Sequence, residues 1–283
     1  MRFSCYERNG NEGIGIWLGD ELRGLESGMP GYPGSLDALL ATGAELQATG
    51  KALSAAPVVP QTSIRFLPPL RHPSKILCVG LNYRAHSVET GLGAPDYPAV
   101  FARFPSSLIG HGSPLVKPTV SDQLDYEAEL VAVIGRRCRG VTAAAALEYV
   151  AGYSMFNEAS IRDYQLRTSQ WTIGKNFDGT GAFGPALVTP DELPPGASGL
   201  GIRTRLNGRL VQDGNTADMV FGVASLVSML SEVMTLEPGD IIVTGTPSGV
   251  GMSRKPPLYM KAGDVCEVEI DGIGTLRNPV IAA

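Results

Sequence analysis

The segment LDYEAELVAVIG, residues 124–135, constrains this chain more than any other stretch. As a β-strand it would put Glu127 and Glu129 on one face with Val131 and Val133, and Tyr126, Ala128, Leu130 and Ala132 on the other. Two carboxylates side by side on an otherwise apolar strand repel one another. Burying them costs several kcal/mol per ion unless a cation neutralises them. A hard, oxygen-seeking ion such as Mg²⁺ or Mn²⁺ would resolve the conflict. The bland alternative is a strand end that points both glutamates into water, and an ExE pair alone does not choose between the two.

The rest of the chain frames that strand. Residues 1–68 read as a small N-terminal α+β unit: strands at MRFSCYE, GIGIWLG and ELRGL, a Gly/Pro loop at GMPGYPG, then one helix from Ser35 through SLDALLATGAELQATG. This unit holds no dense carboxylate cluster and is expected to pack or orient the larger part. Residues 69–283 form the second unit, opened by the buried-strand run Ile76–Val79 that ends at Gly80. Further strand-like runs occur at FGPALVT, IRTRLNGRLVQ, IIVTG and CEVEIDGIG. Helical patterns are confined to AAAALEYVAGY and FGVASLVSMLSEVM. The fold class is therefore β-rich α+β, without the strand-helix alternation of a Rossmann or TIM fold. Asn207-Gly208 and Asp213-Gly214 read as hairpin-type turns flanking a short strand.

Chemistry-bearing residues gather in a few segments. GYSMFNEASIRDYQ spaces Glu158, Arg162 and Gln165 by four and three, which helical turns would align on one face. A carboxylate, a guanidinium and an amide together suit a metal, an oxyanion and a keto oxygen; an exposed amphipathic turn is the alternative. In GLNYRAHSVETG, His86 and Glu89 lie three apart, so Glu89 could orient the imidazole and raise its basicity as a general base requires. GKNFDGTGAFGP adds Lys175. DIIVTGTPSGVG sets Thr244 and Thr246 in a Gly-rich loop whose backbone N–H groups can approach an anion.

Several functions are excluded or disfavoured. The 28 acidic against 23 basic residues give a net charge of −5 with no basic run to follow a phosphate backbone, so nucleic acid is a poor partner. Cys5, Cys78, Cys138 and Cys266 show no CxxC spacing, which argues against a zinc cluster or disulfide framework and for reduced thiols in the cytoplasm. No secretory h-region and no apolar run of roughly eighteen residues is present, so no membrane partner is expected. The Gly-rich loop lacks the Lys-Ser/Thr pair of a P-loop, and Ser248 in GTPSG is not a GxSxG nucleophile elbow.

Taken in order, GLNYRAHSVETG, PSSLIGHG, DYEAELVAVIG, GYSMFNEASIRDYQ, GKNFDGTGAFGP and VTGTPSGVG resemble the fumarylacetoacetate hydrolase superfamily over about residues 72–280. The resemblance implies a mixed β-sandwich roll, one Mg²⁺ or Mn²⁺ per chain and a homodimer. It implies Glu127, Glu129 and Glu158 as metal ligands. Arg162, Gln165, Lys175 and Thr246 would surround the carboxylate and keto oxygens of a small 2-oxo acid, and His86 with Glu89 would form a dyad on a lid. Two residues depart from the family pattern. Glu158 stands where relatives usually have Asp, one methylene shorter. Arg103 in FARFPSSLIG stands where they commonly have Lys; at the distal end of a substrate its planar guanidinium would prefer a carboxylate.

The first expectation is hydrolysis of a carbon–carbon bond in an acylpyruvate, a 2,4-dioxo acid, with His86 activating water and pyruvate leaving through its enolate. Isomerisation of a hydroxymuconate-type diacid and decarboxylation of oxaloacetate need the same constellation. A metal-binding relative without catalysis is the alternative from another class.

Overall fold

The alternation read from LDYEAELVAVIG sits at the centre of the molecule. In the computed structural model, which describes residues 1–283 except 90, 92, 94 and 95, Ala128–Ile134 is a strand buried along its whole length. Tyr126, Ala128, Leu130, Ala132 and Ile134 belong to one apolar cluster, Val131 and Val133 to another. A strand covered on both faces needs apolar residues at every position, hence the unbroken run after Glu129.

Among the described residues this strand belongs to an eleven-stranded sheet. Its order is Glu21–Glu26, Asn11–Leu18, Arg2–Arg8, Gly181–Val188, Val150–Glu158, Ala128–Ile134, Ile241–Val243, Ile76–Gly80 and Ala99–Arg103; Arg65–Leu67 pairs with Arg2–Arg8, and Leu108–Ile109 with Gly181–Val188. The sheet is mixed, because Ile241–Val243 runs parallel to Ile76–Gly80 while its other neighbour is antiparallel. A five-stranded sheet ordered Arg209–Asn215, Gly201–Leu206, Val265–Ile270, Gly274–Ala282 and Leu115–Lys117 packs over one face. There Ile202, Val268, Ile270 and Leu276 share a core with Leu130, Met155 and Leu226, Val227 and Leu230 of helix Val223–Val233. The result is the strand-rich, mixed-sheet fold that the sequence implied. Residues 1–68 supply four strands to the large sheet, and Phe3, Cys5, Ile14 and Leu36 share a cluster with Ile76, Val131 and Phe183.

Local departures from the sequence reading have local causes. The single helix expected from Ser35 is two, Leu36–Ala41 and Leu46–Leu53. Ser35 does cap the first, accepting from Ala38 N–H at 3.3 Å. Gly43 then turns left-handed at φ +69, with Ala44 N–H bonded to Leu39 C=O and Gly43 N–H to Leu40 C=O, a Schellman ending that stops the helix. AAAALEYVAGY is helical only over Ala143–Ala146 and a 3₁₀ turn at Leu147–Tyr149; Val150 already starts a strand. Asn207-Gly208 is the expected hairpin turn, both residues at positive φ (53 and 78). Asp213-Gly214 instead lies within strand Arg209–Asn215, where a Cβ on Gly214 would stand 2.6 Å from Pro247.

The four cysteines are buried and unbridged. No helix among the described residues is long and apolar enough to cross a membrane.

Replacing Leu226, fully buried on helix Val223–Val233 in the core it shares with both sheets, by Ala should cost about 2–5 kcal/mol in urea unfolding. Val120→Ala, at a side chain 60% exposed, should stay within about 0.5 kcal/mol.

Candidate active site

Strand register assembles the carboxylates. Ala128 pairs with Asn157 and Glu129 with Phe156, and Glu158 N–H donates to the Glu127 carbonyl at 2.9 Å. Glu127 and Glu158 therefore face one another across neighbouring segments of the sheet and project to the same side as Glu129. All three are buried, and one oxygen from each lies within 4.8 Å of the others. Glu158 ends strand Val150–Glu158 and so does not share a helical face with Arg162 and Gln165. Those two sit on a separate short helix, Arg162–Gln165, reached through Ser160–Ile161, which pairs with Leu124–Asp125.

Three cations surround the carboxylates. Lys175 Nζ donates to Glu127 Oε2 at 2.6 Å and Glu158 Oε2 at 3.3 Å. Arg162 donates through Nε to Asp125 at 2.8 Å and through Nη1 to Gln165 Oε1 at 2.8 Å. Its Nη2 lies 2.7 Å from Glu127 Oε1, a close ion contact in which the N–H direction misses the oxygen. Arg103 donates through Nε to Glu158 Oε1 at 2.9 Å, through Nη2 to Ala159 C=O at 2.6 Å, and through Nη1 to Ser107 and Thr180 hydroxyls at 3.3 Å each.

These neighbours split the carboxylates electrostatically. Burial pushes the pKa of Glu127 up, but Arg162 and Lys175 outweigh it and hold the group at about 2. Burial, then the charges of Glu158 and Glu127, push Glu129 well above the ordinary carboxylate range. Burial works against the charge on Lys175, yet Glu127 and Glu158 raise its pKa and keep the ammonium. Among the described residues Glu129 has no cation against it; its Oε2 accepts only the Gly245 N–H, at 2.5 Å. Three carboxylate oxygens, with one charge left uncompensated, fit a hard divalent ion such as Mg²⁺ or Mn²⁺.

A supporting layer fixes the rest. Gln212 Oε1 accepts from Thr204 Oγ1 at 2.6 Å and Ala128 N–H at 3.0 Å, which settles the amide orientation. Its Nε2 then donates to Thr246 Oγ1 at 2.9 Å, so the Thr246 hydroxyl proton is available as a donor toward the cavity. Asp125, fully buried, accepts from Gly251 and Met252 N–H at 2.7 and 2.9 Å and thereby ties Arg162 to that loop. Thr244 is spent on the scaffold, its hydroxyl bonded to Leu130 C=O at 3.0 Å. His86 Nδ1 lies 3.4 Å from Glu89 Oε2, and both Glu89 oxygens accept from Gly249 N–H at 3.0 Å. Thr90, the next residue of that motif, lies outside the described residues. Asn176, after Lys175, bonds through its amide to Ala102 C=O at 3.1 Å and Phe104 N–H at 2.7 Å.

A cavity of about 270 Å³ joins Glu127, Glu129, Glu158, Arg162, Gln165, Lys175, Thr246 and His86 with an apolar wall that includes Phe101 and Trp171. Arg103 is not part of its lining. With its side chain fully enclosed, it braces Glu158 from behind and does not contact the distal end of a substrate, which corrects the expectation drawn from FARFPSSLIG. Asp125, Gln212 and Trp171 were missed from sequence. Asp125 had a signal, since it shares its strand parity with Glu127 and Glu129.

The chain matches the sequence profile described as fumarylacetoacetate (FAA) hydrolase C-terminal over residues 75–281. It belongs to that family. An oxaloacetate tautomerase described as mitochondrial from Xenopus laevis is 42% identical over 226 residues, 79% of this chain and 70% of its own length. The corresponding Rattus norvegicus protein is 39% identical over 91% of this chain and 87% of its own. A fumarylacetoacetate hydrolase structure from Exiguobacterium antarcticum superposes with a TM-score of 0.89 at 37% identity, covering all of both chains. A 5-carboxymethyl-2-hydroxymuconate delta-isomerase from Mycobacterium smegmatis does so with a TM-score of 0.78 at 32% identity, covering all of this chain and 99% of its own.

Arg103→Lys should weaken Mn²⁺ binding about 10–100-fold in calorimetric titration, because the brace that orients Glu158 is lost. Glu129 gives a pH test. Its folded pKa is raised, so metal-stripped protein should lose thermal stability as pH climbs above the ordinary carboxylate range, and Glu129→Gln should lose less. Restored Mg²⁺ or Mn²⁺ should raise the melting temperature of wild type but not of that variant.

Proposed function

We propose that the chain is a divalent-metal-dependent enzyme that interconverts the keto and enol forms of a small 2-oxo acid, with oxaloacetate as the substrate to test. The carrying observation is that the His86–Glu89 pair and the Glu127, Glu129, Glu158 group meet at one cavity with Lys175, Gln165 and Thr246. The tautomerase relatives, alike over most of the chain, favour proton transfer over the carbon–carbon hydrolysis that the sequence alone put first.

An ion held by the three glutamates would supply Lewis acidity at the 2-oxo oxygen. The protein's own groups do the rest. Thr246 and Gln165 hold the carboxylate and oxo groups, and the Lys175 ammonium faces the same headgroup. Glu89 on Nδ1 sets the tautomer in which His86 Nε2 takes a proton from C3. The C3–H bond breaks, an O–H bond forms at the 2-oxo oxygen, and no atom is gained or lost.

Hydrolysis of a 2,4-dioxo acid is the second reading, favoured by the apolar wall, which would seat a leaving acyl group. Stripped and metal-restored protein should be assayed for loss of the enol absorbance of oxaloacetate and for pyruvate release from acylpyruvates. Metal-dependent enol loss that falls about 10²–10⁴-fold in His86→Ala is the expected result. Metal- and His86-dependent pyruvate release, with oxaloacetate inert, would replace tautomerisation by hydrolysis.

A further inference from the structure

The cavity has two unlike halves. Its floor is the charged group already described, while its wall is formed by Val79, Leu81, Phe101, Leu166, Trp171 and Met252. Trp171 lies directly across Gly80: a Cβ there would stand 2.2 Å from the indole, so only glycine lets the ring settle against the strand. Phe101 meets Trp171 edge to face, centroids 5.7 Å apart at 67°. Such a pair presents a further surface on which a third ring can stack or abut. Leu166, at the same cavity, is 58% exposed, a large apolar side chain left in water until something covers it.

Charge argues in the same direction. Arg162 spends Nε on Asp125 and Nη1 on Gln165, with Nη2 against Glu127. Lys175 is engaged by Glu127 and Glu158, which leaves one donor for the substrate headgroup. A second carboxylate has the Arg162 Nη2, which finds no hydrogen-bond partner, and the remaining Lys175 donor to meet it, while one laid against Val79, Leu81 and Leu166 would lose water to apolar side chains alone. An apolar group in that place would gain by burial.

We infer that the site also takes 2-oxo acids with a flat apolar substituent on C3, arylpyruvates being the simplest class, with Trp171 and Phe101 receiving the ring. This inference rests on the 2-oxo acid headgroup reading above. Tautomerisation of an arylpyruvate is the same step, C3–H to O–H, with the new enol double bond conjugated to the ring.

Pyruvate and phenylpyruvate share one headgroup and differ by the ring, so their affinities for Mn²⁺-loaded protein isolate the wall. Calorimetry should show phenylpyruvate binding at least tenfold more tightly. Trp171→Ala should bring the ratio to within about twofold, Trp171→Phe should keep most of it, and Leu166→Ser, at an exposed position that folding tolerates, should reduce it. Equal affinities in wild type, or a ratio that survives both Trp171→Ala and Leu166→Ser, would overturn the inference and leave the headgroup reading standing. Binding of neither acid, or binding indifferent to EDTA, would overturn both.

Discussion

Everything at the site follows from one constraint: four carboxylates and three cations are enclosed together where water cannot screen them. Asp125, Glu127, Glu129 and Glu158 face Arg103, Arg162 and Lys175, all buried, so with every group ionised one negative charge is in excess. An unpaired ion inside a protein is among the costliest things a fold can contain. The network confines that cost to Glu129, the member with no protein cation against it. A divalent ion would reverse the imbalance, turning an excess of −1 into +1 and creating an attraction for an anionic substrate.

The large sheet exists in the form it does to hold that network still. Glu127 and Glu158 are placed by strand register, which is fixed because a one-residue slip would turn every apolar side chain of Ala128–Ile134 toward the wrong cluster. Arg103 comes from the edge strand Ala99–Arg103 and Lys175 from the short helix Thr172–Lys175, and neither is oriented by register alone. Hydrogen bonds to Ala159, Ser107, Thr180 and Ala102 do that work.

Much of this was legible in the sequence because it depends on spacing. The parity of LDYEAELVAVIG gave both faces of the central strand, and the order of motifs gave the residues around the cavity. What was not legible depends on contacts between distant segments. Nothing in FARFPSSLIG says that Arg103 turns inward to Glu158, 55 residues away, nor does NGRLVQDGN say that Gln212 orients Thr246, 34 residues away. The helix expected from Ser35 failed for a different reason: Gly43 is compatible with a helix by pattern but ends one once Ala44 N–H finds the Leu39 carbonyl. Likewise Glu158, Arg162 and Gln165 have helical spacing, yet pairing with Ala128–Ile134 and Gly181–Val188 claims Glu158 for a strand.

The amide of Asn176 has a second effect. Ala99–Arg103 is the last strand of the large sheet, and an outermost strand invites another chain to add itself there through unpaired N–H and C=O groups. Asn176 occupies the Ala102 carbonyl and the Phe104 N–H with its own amide, so an incoming strand finds two of its bonding positions already taken. The residue that caps the helix carrying Lys175 thus also helps to protect the fold from edge-to-edge aggregation, and a change made at position 176 to alter the cavity would loosen that protection too.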